Sequence, residues 1–80
     1  MSGIAKVVEV IAKEMCEYPD DVVVKEIEAK HSSIIEVKVH KNDQGKMIGK
    51  GGRTADAIRS IIYACGFKYH KRFALDIVTE

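Results

Sequence analysis

Ile4, Val7, Val8, Ile11, Ala12 and Met15 recur with a period near 3.6 residues and predict an amphipathic helix. Ser2 precedes it as a candidate cap. Pro19 disfavours helical geometry at Tyr18, so the helix is expected to stop near Glu17. Residues 22–30 are rich in β-branched side chains and predict a strand. After a short turn at His31-Ser32-Ser33, residues 33–40 alternate strictly. Ile35, Val37 and Val39 fall on one face, and Glu36, Lys38 and His40 on the other. Two strands joined so closely predict an antiparallel hairpin.

Lys41-Asn42-Asp43 interrupts the sheet pattern. Asn42 or Asp43 can cap one helical turn that runs through Met47 and Ile48 and ends at Gly49. A longer helix is expected over residues 53–65, with Ala55, Ile58, Ile61, Ile62 and Cys65 facing the core and Gly66 as its stop. Residues 67–72 read as a basic, aromatic loop. Phe73, Leu75 and Ile77 then alternate with Ala74, Asp76 and Val78 in a last strand. The order is α-β-β-α-α-β. Strands on either side of a helix pair are expected to run parallel, so the first strand completes a mixed three-stranded sheet. Three helices should cover one face of it, giving one α+β domain over residues 1–80.

Composition narrows the function classes. The chain is 46% hydrophobic and 31% charged, with one proline and no tryptophan, as expected of a soluble globular domain. No apolar run approaches the roughly 20 residues of a membrane span, and the first residues do not form a secretion signal. A cytoplasmic protein is expected. Cys16 and Cys65 match no zinc or redox spacing and are expected to be buried thiols. His31, His40 and His70 form no metal pair and read as surface residues. No Ser-His-acid or Cys-His set is present. The glycines fit neither a Walker loop nor a dinucleotide fingerprint. Catalysis, metal and cofactor binding are therefore not expected. Tyr63 lies on a helix with a core face and is expected to be partly buried packing, whereas Tyr69 is open between packing and base stacking.

A net charge of +1 conceals an asymmetry. Residues 1–40 carry five lysines against eight carboxylates. Residues 41–72 carry eight Lys and Arg against Asp43 and Asp56 only. A positive segment of this kind attracts a polyanion. At its centre is Met47-Ile48-Gly49-Lys50-Gly51-Gly52-Arg53-Thr54, between two helices. Glycines at this density let another backbone approach closely, and the helix behind them begins with unpaired amides. With Lys50 and Arg53 alongside, the arrangement suits a phosphate.

This string, in this element order, resembles the I-G-x-x-G loop of a type II KH domain, here Gly49-Lys50-Gly51-Gly52. Over nearly its whole length the chain resembles the bacterial KhpA family. That resemblance implies single-stranded RNA binding, about four nucleotides per domain. It implies that Lys50 and Gly51 approach the phosphates within the loop, with Gly49, Gly52, Arg53 and Lys46 around them, and that Ile48 lies under the bases. It places a variable loop at residues 66–72, with Lys68, Lys71 and Arg72 facing the RNA. It further implies a homodimer or a KhpB-like KH partner, RNA chaperone or post-transcriptional regulatory work, and a link to cell shape and envelope growth. The outer face of the long helix, away from the glycine loop, is the expected contact surface. The competing expectation is a protein-interaction adaptor that keeps the fold with RNA binding weak or absent. Duplex DNA is disfavoured because no long basic recognition helix is present.

Overall fold

The computed structural model describes residues 3–79. Its elements are α1 (Gly3–Met15), β1 (Val23–Glu28), β2 (Ser32–Lys38), α2 (Gln44–Ile48), α3 (Arg53–Tyr69) and β3 (Arg72–Ile77), with short 3-10 turns before β1, before α2 and between α2 and α3. The sheet order is β1-β2-β3, β1 antiparallel and β3 parallel to β2. The α-β-β-α-α-β order and mixed three-stranded sheet expected from the pattern are the ones observed, as the resemblance to a type II KH domain implies. The Ser2 cap lies outside the described residues.

The buried rows follow the pleat. Val24, Val37 and Ile77 are in register across the three strands, as are Ile35 with Leu75 and Ser33 with Phe73. The helices cover this face and contribute Ile4, Ala5, Val8, Ala12, Met47, Ala55, Ile58 and Ile62 to one continuous core. The hairpin turn falls at Lys30-His31, one residue earlier than expected, and is closed by Ala29 N–H donating to the Ser32 carbonyl at 2.8 Å.

Four side-chain expectations change. Val7 is exposed, because Ala5 and Ala12 turn the buried stripe of α1 toward Val8. Ile61, at 47% exposure, and Cys65 are on the solvent side of α3, whose buried stripe is Ala55, Ile58, Ile62 and Gly66. Cys16 is a buried thiol, as expected. Tyr63 is 58% exposed and is not core packing.

Gly66 does not end α3. The helix runs to Tyr69 and closes on His70 in the left-handed conformation (φ 54°). Lys71 N–H donates to the Gly66 carbonyl at 3.2 Å and His70 N–H to the Phe67 carbonyl at 3.3 Å. This is a Schellman closure with Gly66 in the final turn and not beyond it.

Candidate nucleic-acid interface

The glycine loop is built at the junction of α2 and α3. Gly49 N–H donates to the Gly45 carbonyl at 2.8 Å and ends α2. Gly49 has φ +79°, and a side chain there would put its β-carbon 2.7 Å from the Thr54 backbone nitrogen. The chain therefore doubles back on the start of α3 in a way only glycine permits. Gly52 N–H donates to the Gly49 carbonyl at 3.1 Å, and Arg53 N–H to that of Lys50. At Gly51, φ +64°, no described residue other than its chain neighbours comes within 4 Å of where a β-carbon would stand. That side of its backbone thus faces open space. Lys46, Lys50 and Arg53 are exposed around the loop, Ile48 is half-buried beside it, and Met47 anchors the turn in the core.

A groove runs between α3 and β3. Arg59, Ser60 and Tyr63 line one side, and residues 72–75 line the other. The side of β3 away from β2 pairs with no strand among the described residues, so its edge can offer backbone hydrogen-bonding groups. Arg59 spans the groove. Its Nη1 pairs with the Asp56 carboxylate at 3.0 Å and its Nη2 donates to the Leu75 carbonyl at 3.5 Å.

The three expected variable-loop cations are distributed differently. Arg72 lines the groove. Lys71 Nζ donates to Ser33 Oγ at 3.2 Å. Lys68 falls on the opposite flank of α3, in a cleft with Val7 and Ala64, and its Nζ is 5.9 Å from the Tyr69 ring centroid. The extra helical turn is the reason. It carries Lys68 around the helix axis and leaves only His70 and Lys71 as connection. Sequence reasoning missed Arg59, Ser60 and Tyr63 as groove residues. Their signal was present as a polar and aromatic stripe at positions 56, 59, 60 and 63, spaced for one helix face.

The family described as "KhpA/KhpB, KH domain" matches residues 5–77. The chain belongs to this KH family. Curated relatives called RNA-binding protein KhpA include those of Halalkalibacterium halodurans, 51% identical over 89% of this chain and 93% of that one, and Aquifex aeolicus, 44% identical over 98% and 99%. That of Clostridium perfringens is 42% identical over 91% and 97%. Two solved structures of Era share the fold with a TM-score of 0.66 at 22% identity. One is Aquifex aeolicus Era bound to GDP and AlF4−; the other is Era with MgGDPNP and nucleotides 1506–1542 of 16S ribosomal RNA. The match covers 95–96% of this chain but only 29–31% of Era. Among the described residues no helix is long and apolar enough to cross a membrane.

In this KhpA/KhpB-type domain a buried carboxylate ties α2 to the end of α1. Asp43 stands at the head of α2 without capping it by its side chain. Its two oxygens instead accept from Glu17 N–H at 3.0 Å and Tyr18 N–H at 3.1 Å. Asn42 N–H donates to His40 Nδ1 at 3.0 Å, and the His40 ring stacks on Tyr18 at 4.0 Å. Burial alone would push the Asp43 carboxyl up. The two N–H donors, with Lys46 and His40 nearby, outweigh it and hold the carboxyl below its ordinary value. Burial, and then Asp43, push the Cys16 thiol up.

A group whose native pKa is depressed stabilises the fold above its unfolded pKa, about 3.9 for Asp, and loses that contribution as pH falls through the native value. Thermal melts from pH 6 to pH 2.5 should therefore show the natural chain losing midpoint temperature more steeply below about pH 4 than Asp43→Asn. Parallel curves would show that Asp43 contributes nothing to the acid limb.

Proposed function

We propose that the chain binds single-stranded RNA, with about four nucleotides in the groove and the sugar-phosphate backbone on the 49–52 loop. The observation that carries this reading is the open position at Gly51 between Lys50 and Arg53, at the head of α3, whose flank forms a groove with a strand edge that pairs with no further strand among the described residues. Membership of the KH family and the names of the KhpA relatives support it. In this reading Lys50 and Gly51 meet the phosphates, Gly49 and Gly52 shape the turn, and Lys46 and Arg53 add positive potential. Ile48 offers the bases an apolar floor. Arg59 and Arg72 supply cations further along, Lys71 borders the far end, and Lys68 stands outside the path.

About three neutralised phosphates give a slope near −2 in log K against log salt, at roughly 0.7 per contact. Titrations of a fluorescent single-stranded RNA from low to physiological salt test this. A flat response, or tighter binding to the matching duplex, would refute the geometry.

The same reading makes the chain a cytoplasmic RNA chaperone or post-transcriptional regulator that works with a second KH domain. One short groove binds weakly after the strand's ordering is counted, and a second linked groove strengthens binding by roughly 10²–10⁴. Exposed Ile61 on the back of α3 and Val7 and Val10 on α1 offer apolar surface for pairing. Sedimentation at micromolar concentration, alone and with a KhpB-like protein, is expected to show a dimer or a complex. A strict monomer with nanomolar affinity for short RNA would exclude the paired unit.

A further inference from the structure

Tyr63 and Phe67 are the feature that the groove's basic chemistry leaves unexplained. They are 58% and 68% exposed, although aromatic rings this large are normally covered. Their centroids are 5.3 Å apart with planes at 77°, a T-shaped pair. In that geometry one ring presents its edge to the other's face, so each keeps an uncovered face. The pair is placed along the path of the groove. Arg59, Tyr63 and Phe67 are four residues apart and line up on one flank of α3. A strand that starts at Gly52 and follows the helix reaches Tyr63 after about 16 Å, at 1.5 Å per residue. Tyr63 and Arg72 line the main groove and also a second, smaller cleft, which adds Phe67, His70 and Lys71 to its walls. The two clefts thus share these side chains as a common wall.

We infer that Tyr63, braced by Phe67, is a stacking subsite for an unpaired nucleobase at the far end of the groove, with Arg72 beside it for the adjoining phosphate. The inference rests on the RNA reading above and extends it by one base position. Two observations favour a base over a protein side chain as the occupant. The ledge shares walls with the groove along α3, the helix that starts at the glycine loop, and cationic side chains border it. Pairing with another protein has a separate apolar surface on the opposite flank, at Val7 and Ile61. Stacking of this kind tolerates any base, since every base has a π-face.

The chain has no tryptophan, so Tyr63→Trp places a single reporter on the ledge. Its fluorescence should be quenched as a six-nucleotide single-stranded RNA saturates the protein. Tyr63→Phe should bind within about twofold of the natural chain, while Tyr63→Leu should lose roughly 5- to 100-fold, the range for one stacked base. Leucine keeps apolar bulk, so an apolar contact alone would not separate it from phenylalanine. Natural affinity in Tyr63→Leu, or an unquenched Tyr63→Trp at saturation, would overturn the subsite while leaving RNA binding in place. Loss of self-association with unchanged affinity would instead mark a protein contact and also overturn it. Substitution of Lys50 and Gly51 by Asp serves as the control: if binding survives that change, the RNA reading itself is wrong.

Discussion

Lys50→Asp combined with Gly51→Asp is expected to weaken single-stranded RNA binding on the order of 100-fold while leaving the fold intact. The loss has two sources. Lys50 is the exposed cation inside the loop, and replacing it reverses a charge where phosphates must pass. Gly51 presents bare backbone to open space, and a carboxylate there repels the strand and fills its closest approach. The fold should tolerate both changes. Beyond its chain neighbours, no described residue has an atom within 4 Å of a β-carbon at position 51. Asp is also among the few residues that enter the left-handed region at moderate cost, about 1 kcal/mol. Fluorescence anisotropy with a short RNA measures the effect, and circular dichroism melts check the fold. Unchanged affinity in a folded double variant would remove the loop from the binding site.

Gly66→Ala is expected to destabilise the domain by about 1–3 kcal/mol despite placing a better helix former inside a helix. The new β-carbon would stand 2.5 Å from the Lys71 carbonyl oxygen and 3.2 Å from Phe73 Cδ2. The first neighbour is backbone and cannot rotate away. It belongs to the segment that returns the chain from α3 into β3, so relief requires the helix and the edge strand to separate. The gain in helix propensity is at most about 1 kcal/mol and does not offset this. For a domain of this size the midpoint of thermal unfolding should fall by roughly 5–20 °C. A midpoint equal to or above that of the natural chain would mean that the close approach at Gly66 is easily relieved. The consequence reaches the groove, because β3 forms one of its walls.

Much of this molecule was legible from local pattern. The alternation of Ile35, Val37 and Val39 marks a strand whatever surrounds it, because the pleat sends successive side chains to opposite faces. The element order follows from such periods, and the mixed sheet follows from the order. The glycine loop was legible for a related reason. Gly49, Gly51 and Gly52 all adopt positive φ, and that demand on the backbone is written in the residue type itself.

Where the side chains go was settled only by tertiary packing. A helix-ending glycine and a helix-packing glycine look alike in sequence; the approach of Lys71 and Phe73 decides that Gly66 is the second. One further turn of α3 then moves Lys68 off the groove and leaves Arg72 on it. Tyr63 is exposed because Ala55, Ile58, Ile62 and Gly66 already fill the buried stripe. Asp43 reads as a cap for its own helix, yet its carboxylate serves Glu17 and Tyr18, 26 and 25 residues away. Local pattern determined which elements form and where the loop lies. Which flank of each helix remains open depends on elements distant in the chain, and that contest for a shared core gave the groove its walls.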